Sequence, residues 1–392
     1  MRWLLSDKTR MIIHVTRKQK GDMNMRNIKK SMAVIIIFCM AFALLTGCGQ
    51  GAGQKSNLTS ETKVTVEEGK GVELGRDRTQ TVAFNSNLKN SDITIAYVCA
   101  DLTNEVFAMQ VNEMIRYSKE IGINFVYTQA SDDSQKITAM ENYINMGVNA
   151  IILNCSNPPV MIDIIDAAKK AGIPVFCYDN DTPNSDAYWG VKNYDYGYMM
   201  AKQAADWINK TFPKDVTVNG AICHFGGQSE LAVNREAGAR AAIAELAPNA
   251  KIVGEFRAGS QPGGIQAGEN FINMNKDIKF VIGLNDGGVL GVYEIFKANG
   301  YVGDDIGLFA CDAITEALNA IKEKSIFRGT VSTEIVKVAV DFIDIAVGLA
   351  KGDPQFYGQK YYFNMIPVNL ENIEEYEKSH PLPPNFLGGQ AK

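Results

Sequence analysis

NAIILNCSNPPVMIDIIDAAKKAGIPVFCYD, residues 149–179, is the stretch whose reading decides the fold. Ala150 to Asn154 is an almost continuously apolar run, the signature of a strand buried on both faces. Val160 to Ala171 keeps helical spacing, Gly172 stops the helix, and Pro174 to Tyr178 is a second strand ending at Asp179. The unit has an echo. Lys279 to Asp312 reads as a strand ending in Asn285, a helix with Val289, Val292, Tyr293 and Phe296 on one face, Gly300, and a strand ending in Asp312. Outward from these copies the alternation continues. Ile93 to Ala100 is a strand and Asn104 to Ile121 a helix closed by Gly122, followed by a strand at Asn124 to Thr128. Ile137, Met140, Ile144 and Val148 keep helical spacing, Tyr194 to Phe212 is a helix, and Asn219 to Phe225 is a strand. Such alternation predicts an α/β fold of two similar lobes, each a parallel sheet covered by helices. Ligands of open parallel sheets bind beyond the carboxyl ends of the strands, so Asp179 and Asp312 are expected to face each other across a cleft.

The amino-terminal region has a different logic. Arg26, Lys29 and Lys30 precede an apolar run of 15 residues, Met32 to Thr46, which ends in Leu44-Leu45-Thr46-Gly47-Cys48. A basic segment, an apolar core and small residues before a cut describe a secretory signal, and the core falls short of the roughly 20 residues that span a bilayer. The arrangement resembles the lipobox of bacterial lipoproteins. That resemblance implies a diacylated Cys48 and a chain anchored to the outer face of the cell membrane. Residues 1–24 do not suit a short basic segment, so the start is expected at Met23 or Met25. Residues 49–91, rich in Gly, Ser, Thr, Asn, Lys and Glu, read as a flexible linker.

Charge narrows the partners. Nine of the 39 Lys and Arg but only two of the 44 Asp and Glu lie in the first 48 residues, so the remainder carries a formal charge of about −12. An acidic surface repels phosphate backbones and argues against nucleic acid. Cys99, Cys155, Cys177, Cys223 and Cys311 each sit in or at the end of a short strand-like run without CxxC spacing or a Cys/His cluster. They read as small buried hydrophobes, with no metal expected. There is no Walker A, HExxH or GxSxG motif, and His224 ends a strand where a structural role is expected. Neither an enzyme nor a cofactor is anticipated.

Several short pieces carry a family resemblance in order and spacing. They are Ile95-Ala96-Tyr97-Val98 leading to Asn104 and Phe107, Gly172-Ile173-Pro174-Val175 leading to Asp179, and Arg235-Glu236-Ala237-Gly238. Leu284-Asn285-Asp286, Cys311-Asp312-Ala313-Ile314-Thr315-Glu316-Ala317-Leu318 and Gly329-Thr330-Val331 complete the set. From Ile93 to Tyr376 the chain is similar to the type I periplasmic sugar-binding proteins of ABC transporters, the group that includes ribose- and galactose-binding proteins. The resemblance implies two Rossmann-like lobes joined by three crossovers near Lys192, Thr333 and Tyr362. The amino-terminal lobe would be 92–192 with 334–362, the carboxy-terminal lobe 193–333 with 363–376, and 377–392 a tail. It also implies a ligand site of Asn104, Phe107, Asp179, Asn180, Arg235, Asn285, Asp312 and Thr333. Vicinal sugar hydroxyls donate and accept together, which suits carboxylates, amides and a guanidinium fork. Thr333 stands where relatives carry a long amide, Asn180 where they carry a basic residue, and Gly259-Ser260-Gln261-Pro262-Gly263-Gly264 where they carry a second aromatic wall. Trp189, Tyr178 or Tyr194 are the residues available to replace it.

Other readings stand beside these. Asp312 and Asn285 also suit helix N-caps, Asn154 reads as a cap or turn residue, Arg235 also suits an ion pair with Glu230 or Glu236, and Phe107 also suits the core. The expected function is a monomeric, lipid-anchored solute receptor that closes on a small polar ligand, a sugar such as galactose, glucose or ribose, and delivers it to an ABC permease. A sensor lipoprotein presenting its ligand to a membrane receptor is the alternative. A lactose-repressor-type regulator would need a helix-turn-helix where the signal stands.

Overall fold

The computed structural model describes residues 85, 87–227, 229–274 and 276–381. The signal, Cys48 and residues 49–84 lie outside the described residues. The chain begins with β1 (Thr94–Cys99), α1 (Glu105–Ile121), β2 (Asn124–Gln129), α2 (Asp133–Met146), β3 (Ala150–Cys155), α3 (Pro158–Lys170), β4 (Val175–Asp179) and β5 (Ala187–Gly190). A second series follows: α4 (Asn193–Thr211), β6 (Val218–His224), α5 (Glu230–Leu246), β7 (Ala250–Arg257), α6 (Gln261–Asn273) and β8 (Phe280–Gly283). It continues with α7 (Asp286–Ala298), β9 (Gly307–Phe309), α8 (Thr315–Lys322) and β10 (Phe327–Ser332). Last come α9 (Ile335–Ala350), β11 (Lys360–Tyr362), β12 (Ile366–Asn369) and α10 (Ile373–Ser379).

Two six-stranded sheets result, ordered β11-β5-β4-β3-β1-β2 and β12-β10-β9-β8-β6-β7. The first is parallel throughout, and in the second only β12 runs antiparallel, against β10. The chain passes between the sheets three times: after Gly190, after Ser332 and after Tyr362. Every residue of β3 and of β8 is buried, as strands sandwiched between helix layers must be. Both faces of each sheet carry an apolar cluster, around Phe342 and around Met140 in the first, around Phe296 and around Tyr196 in the second.

Helix ends follow local chemistry. Asn104 caps α1 by accepting the Val106 N–H, and Gly122, at φ 76°, closes it; Asp132 and Gly147 do the same for α2. These are the side-chain oxygens and left-handed glycines that satisfy orphan backbone groups. Three expectations need correction. The helix after Asp312 starts at Thr315 with Ile314 at its N-cap, so Asp312 caps nothing. Ordered packing starts inside the expected linker, where the Asn85 N–H donates to Lys351 O and Leu88 packs on the first core. The expected tail also begins within α10, and His380 Nε2 meets Glu334 Oε1 at 2.9 Å.

α4 and α5 approach closely enough to exclude any side chain at two points. A Cβ on Gly197 would lie 1.9 Å from Arg235 O, and one on Gly238 would lie 1.9 Å from Tyr194 O. Backbone faces backbone there, so no rotamer relieves the overlap. Gly197→Ala and Gly238→Ala are each expected to cost about 1–3 kcal/mol through overpacking, although alanine is the better helix former by about 1 kcal/mol. A denaturation midpoint at or above that of the parent would refute this close packing.

Candidate functional site

The carboxyl ends of both sheets open onto the same space. β4 ends at Asp179, which adopts φ 82°, and β9 leads into Asp312, at φ 123°. Both carboxylates are half-buried. Arg235, on α5 and 6% exposed, feels the charges of both. Its guanidinium donates through Nε (3.1 Å) and Nη2 (2.9 Å) to Asn193 Oδ1 and through Nη1 (2.7 Å) to Leu284 O. The ring of Tyr196 lies 4.7 Å away and that of Phe225 5.5 Å. Arg235 therefore makes none of the surface ion pairs open to it in sequence; Glu236 pairs with Arg240 instead. The Tyr196 hydroxyl reaches Val331 O at 2.9 Å and Asp312 Oδ1 at 3.3 Å.

Electrostatics separates the two acids. Burial pushes the Asp312 carboxyl up to about 7, against the pull of Arg235 and the Tyr196 hydroxyl, with Asp179 adding to the rise. Burial also raises Asp179, which Arg235, Lys136 and Asn154 oppose. Lys136, on α2 and 2% exposed, donates to Asn154 Oδ1 at 3.3 Å and to Ser156 Oγ. Burial holds its ammonium below the ordinary range, and the charge of Asp179 resists that. A buried cation thus stands behind one acid and none stands behind the other.

The remaining residues expected at the site divide. Asn180 donates from Nδ2 to Cys155 O at 2.8 Å. With Asp179, Asn193, Tyr194, Glu230 and Asn234 it lines a cavity of about 380 Å³. Phe107 is half-buried, edge-on to Tyr178 at 6.3 Å between centroids. Asn285 fills the N-cap role open to it: its Oδ1 caps α7 at Gly288 N (3.1 Å) while its Nδ2 donates to Gly259 O (2.9 Å). Asn104 is exposed and used as a cap. Thr333 is buried in the second crossover, beside a cavity of about 400 Å³ that Asp312, Ser332 and Glu334 line. Of the residues available as a second wall, Trp189 packs on Phe342, Tyr361 and Phe363 in the first core. Tyr178 is buried there too, and Tyr194 is 45% exposed at the cleft. The lobes touch where Glu105 Oε1 accepts the Thr315 N–H at 3.2 Å.

Asn193, Tyr196, Lys136 and Asn154 are neighbours of the candidate residues that sequence reading missed or assigned elsewhere. Lys136 had a signal, since it stands four residues before Met140 and seven before Tyr143, on the buried stripe of α2. Among the described residues no group of His, Cys, Asp and Glu is arranged to hold a metal ion, and no helix is long and apolar enough to cross a membrane. Cys99, Cys155, Cys177, Cys223 and Cys311 are buried free thiols.

Known proteins share this architecture. Residues 95–354 match the periplasmic binding protein domain. The chain is 27% identical over 281 residues to the D-xylose-binding periplasmic protein of Haemophilus influenzae, covering 69% of this chain and 81% of that one. It is 24% identical over 241 residues to the ribose import binding protein of Bacillus subtilis, covering 60% and 74%. A solved ABC transporter solute-binding protein of Bacillus halodurans with bound myo-inositol has the same fold, with a TM-score of 0.65 at 23% identity over 75% of this chain and 99% of the other. So has a periplasmic solute-binding protein of Actinobacillus succinogenes with bound D-allose, at a TM-score of 0.66 and 24% identity over 72% and 100%. The matched residues include strands of both sheets together with Asp179, Arg235 and Asp312, and the chain therefore belongs to the periplasmic binding protein domain family, whose members bind their ligands rather than transform them.

Proposed function

We propose that this protein is the lipid-anchored solute receptor of an ABC importer and closes its lobes on a neutral polyhydroxylated ligand, a monosaccharide of the pentose or hexose class. The observation that carries the reading is that buried Arg235, on α5 of the second lobe, feels the charges both of Asp179, at the end of β4 in the first lobe, and of Asp312, which follows β9 in the second. Carboxylates that accept and a guanidinium that donates suit the vicinal hydroxyls of a sugar. Arg235 spends three donors on Asn193 and Leu284 O, which fixes the fork before a ligand arrives and leaves donors for it. The relatives named for D-xylose and ribose support the same class. In this reading Asn104, Phe107, Asn180, Asn285 and Thr333 shape the rest of the site, contacts from both lobes favour the closed state, and the permease reads that state.

A thermal-shift panel of D-xylose, D-ribose, D-galactose, D-allose and myo-inositol tests the ligand class. A ligand bound only by the folded state stabilises it by about 2.7 kcal/mol at a hundredfold excess over Kd, which for a domain of this size raises Tm by roughly 5–10 °C. Arg235→Ala and Asp312→Ala are each expected to remove most of that rise. A rise undiminished in both variants would show that the site is misplaced.

The titration of Asp312 yields a separate expectation. Its carboxyl holds a proton up to about 7 in the folded chain, against an ordinary 3.8. The stability tied to that proton is fully present below 3.8 and is lost as pH rises through about 7. Asp312→Asn removes this slope, so its Tm relative to the parent should improve between about pH 5 and about pH 8. A constant offset across that range would contradict the raised value.

For the anchor, Cys48→Ala is expected to abolish incorporation of labelled fatty acid and to release the protein from the membrane fraction. Labelling that persists in the variant would refute lipidation at Cys48.

A further inference from the structure

The turn that carries Asp312 is unusual. Asp312 and the next residue, Ala313, have φ values of 123° and 56°, two successive left-handed positions with no glycine. Residues with a Cβ hold such a conformation only when their surroundings over-determine it. The surroundings here are two buried polar side chains from neighbouring strand ends. Asp286, fully buried at the start of α7, accepts the Ile314 N–H at Oδ2 (3.0 Å) and the Thr330 hydroxyl at Oδ1 (2.8 Å). Thr330, fully buried on β10, accepts the Ala313 N–H at Oγ1 (3.1 Å). The backbone closes the ring, with the Asp286 N–H donating to Cys311 O (2.7 Å) and the Asp312 N–H to Val331 O (2.9 Å). The carboxylate of Asp286 is shut off from solvent and holds the turn directly at Ile314 and indirectly through Thr330.

Without this clamp the local sequence favours another arrangement. Asp312 precedes Ala313 to Ala320, which suits an N-cap with a right-handed first turn, and its carboxylate would then bond to its own helix instead of facing Arg235. The observed start of α8 at Thr315 shows that this alternative is suppressed.

We propose that Asp286 and Thr330 are positioning residues for Asp312: by holding residues 311–314 in the left-handed turn they aim its carboxylate between the lobes. The use of that carboxylate by a ligand rests on the function proposed above, whereas the clamp itself can be tested with the unliganded protein. The side-chain carboxyl carbon of Asp312, assigned by its loss in Asp312→Asn, is followed by NMR through pH. Thr330→Val preserves shape and removes the hydroxyl that links Asp286 to the Ala313 N–H. It is expected to move the Asp312 midpoint by about one pH unit or more and to speed exchange of the Ala313 amide at least tenfold. Thr330→Ser, which restores the hydroxyl, should return both to parental values. A folded Thr330→Val protein with an unmoved midpoint would overturn the proposal. Should circular dichroism show that Thr330→Val does not fold, Thr330→Ala, which removes the same hydroxyl without adding volume, takes its place: a moved midpoint with faster Ala313 exchange supports the clamp, and unmoved values overturn it. Ligand retention by Asp312→Ala would refute the sugar contact and leave the clamp standing. An unmoved midpoint would do the reverse.

Discussion

A guanidinium cannot sit in a protein interior without acceptors, and the whole cleft is arranged around meeting that demand for Arg235. Its charge is fixed, so the structure supplies an amide oxygen from Asn193, a backbone carbonyl from Leu284, two aromatic faces and, at longer range, the carboxylates of both lobes. Leaving such a group unpaired costs more than almost any other polar burial. The backbone contact of α4 with α5 at Gly197 and Gly238 serves the same end, because it places Asn193, at the start of one helix, beside Arg235 on the other. Packing and electrostatics are one constraint here.

The two acids that share Arg235 are not equivalent. Asp179 has Lys136 and Asn154 behind it, which favour its ionised form. Asp312 has the Tyr196 hydroxyl and, through the turn, a second buried acid in Asp286, whose carboxyl is itself raised well above its ordinary range by burial. Burial raises both carboxyls, and that of Asp312, pushed up to about 7, can also donate near neutral pH.

How far the amino-acid sequence revealed this site depended on the kind of signal each residue carries. Asp179 and Asp312 stand out in sequence because strand ends in parallel sheets are where ligands bind, and Arg235 only because resemblance to a family marks its position; the structure sets Arg235 within reach of both charges. Lys136 was not, since period-based reading treats a lysine as a break in an apolar stripe although this one lies on its buried side. Asn193 looked like part of a crossover, and only the approach of two helices gives it a partner distant in sequence. Asp286 was hidden behind Asn285, whose capping role is local, whereas the partners of Asp286 are distant in sequence, Ile314 before α8 and Thr330 on β10. The N-cap role open to Asp312 in sequence goes unused for the same reason, because a long-range clamp overrides its local preference and α8 starts at Thr315.

The interleaving of the sheets bears on how the molecule is made. The edge strand β11 reaches the first sheet from residues 360–362, and α9, from residues 335–350, supplies Phe342 and its neighbours to the first core. Both come after the entire central run of the second lobe. No fragment released during synthesis before Lys360 contains a complete first sheet, so the lobe that is begun first is finished almost last. Contacts of such long sequence separation slow folding, and the incomplete sheet meanwhile exposes β5, with its apolar Ala187-Tyr188-Trp189 run, as a free edge. The three crossovers that join the lobes thereby also make their assembly a single event, in which neither lobe is complete until the chain has crossed to the other and returned.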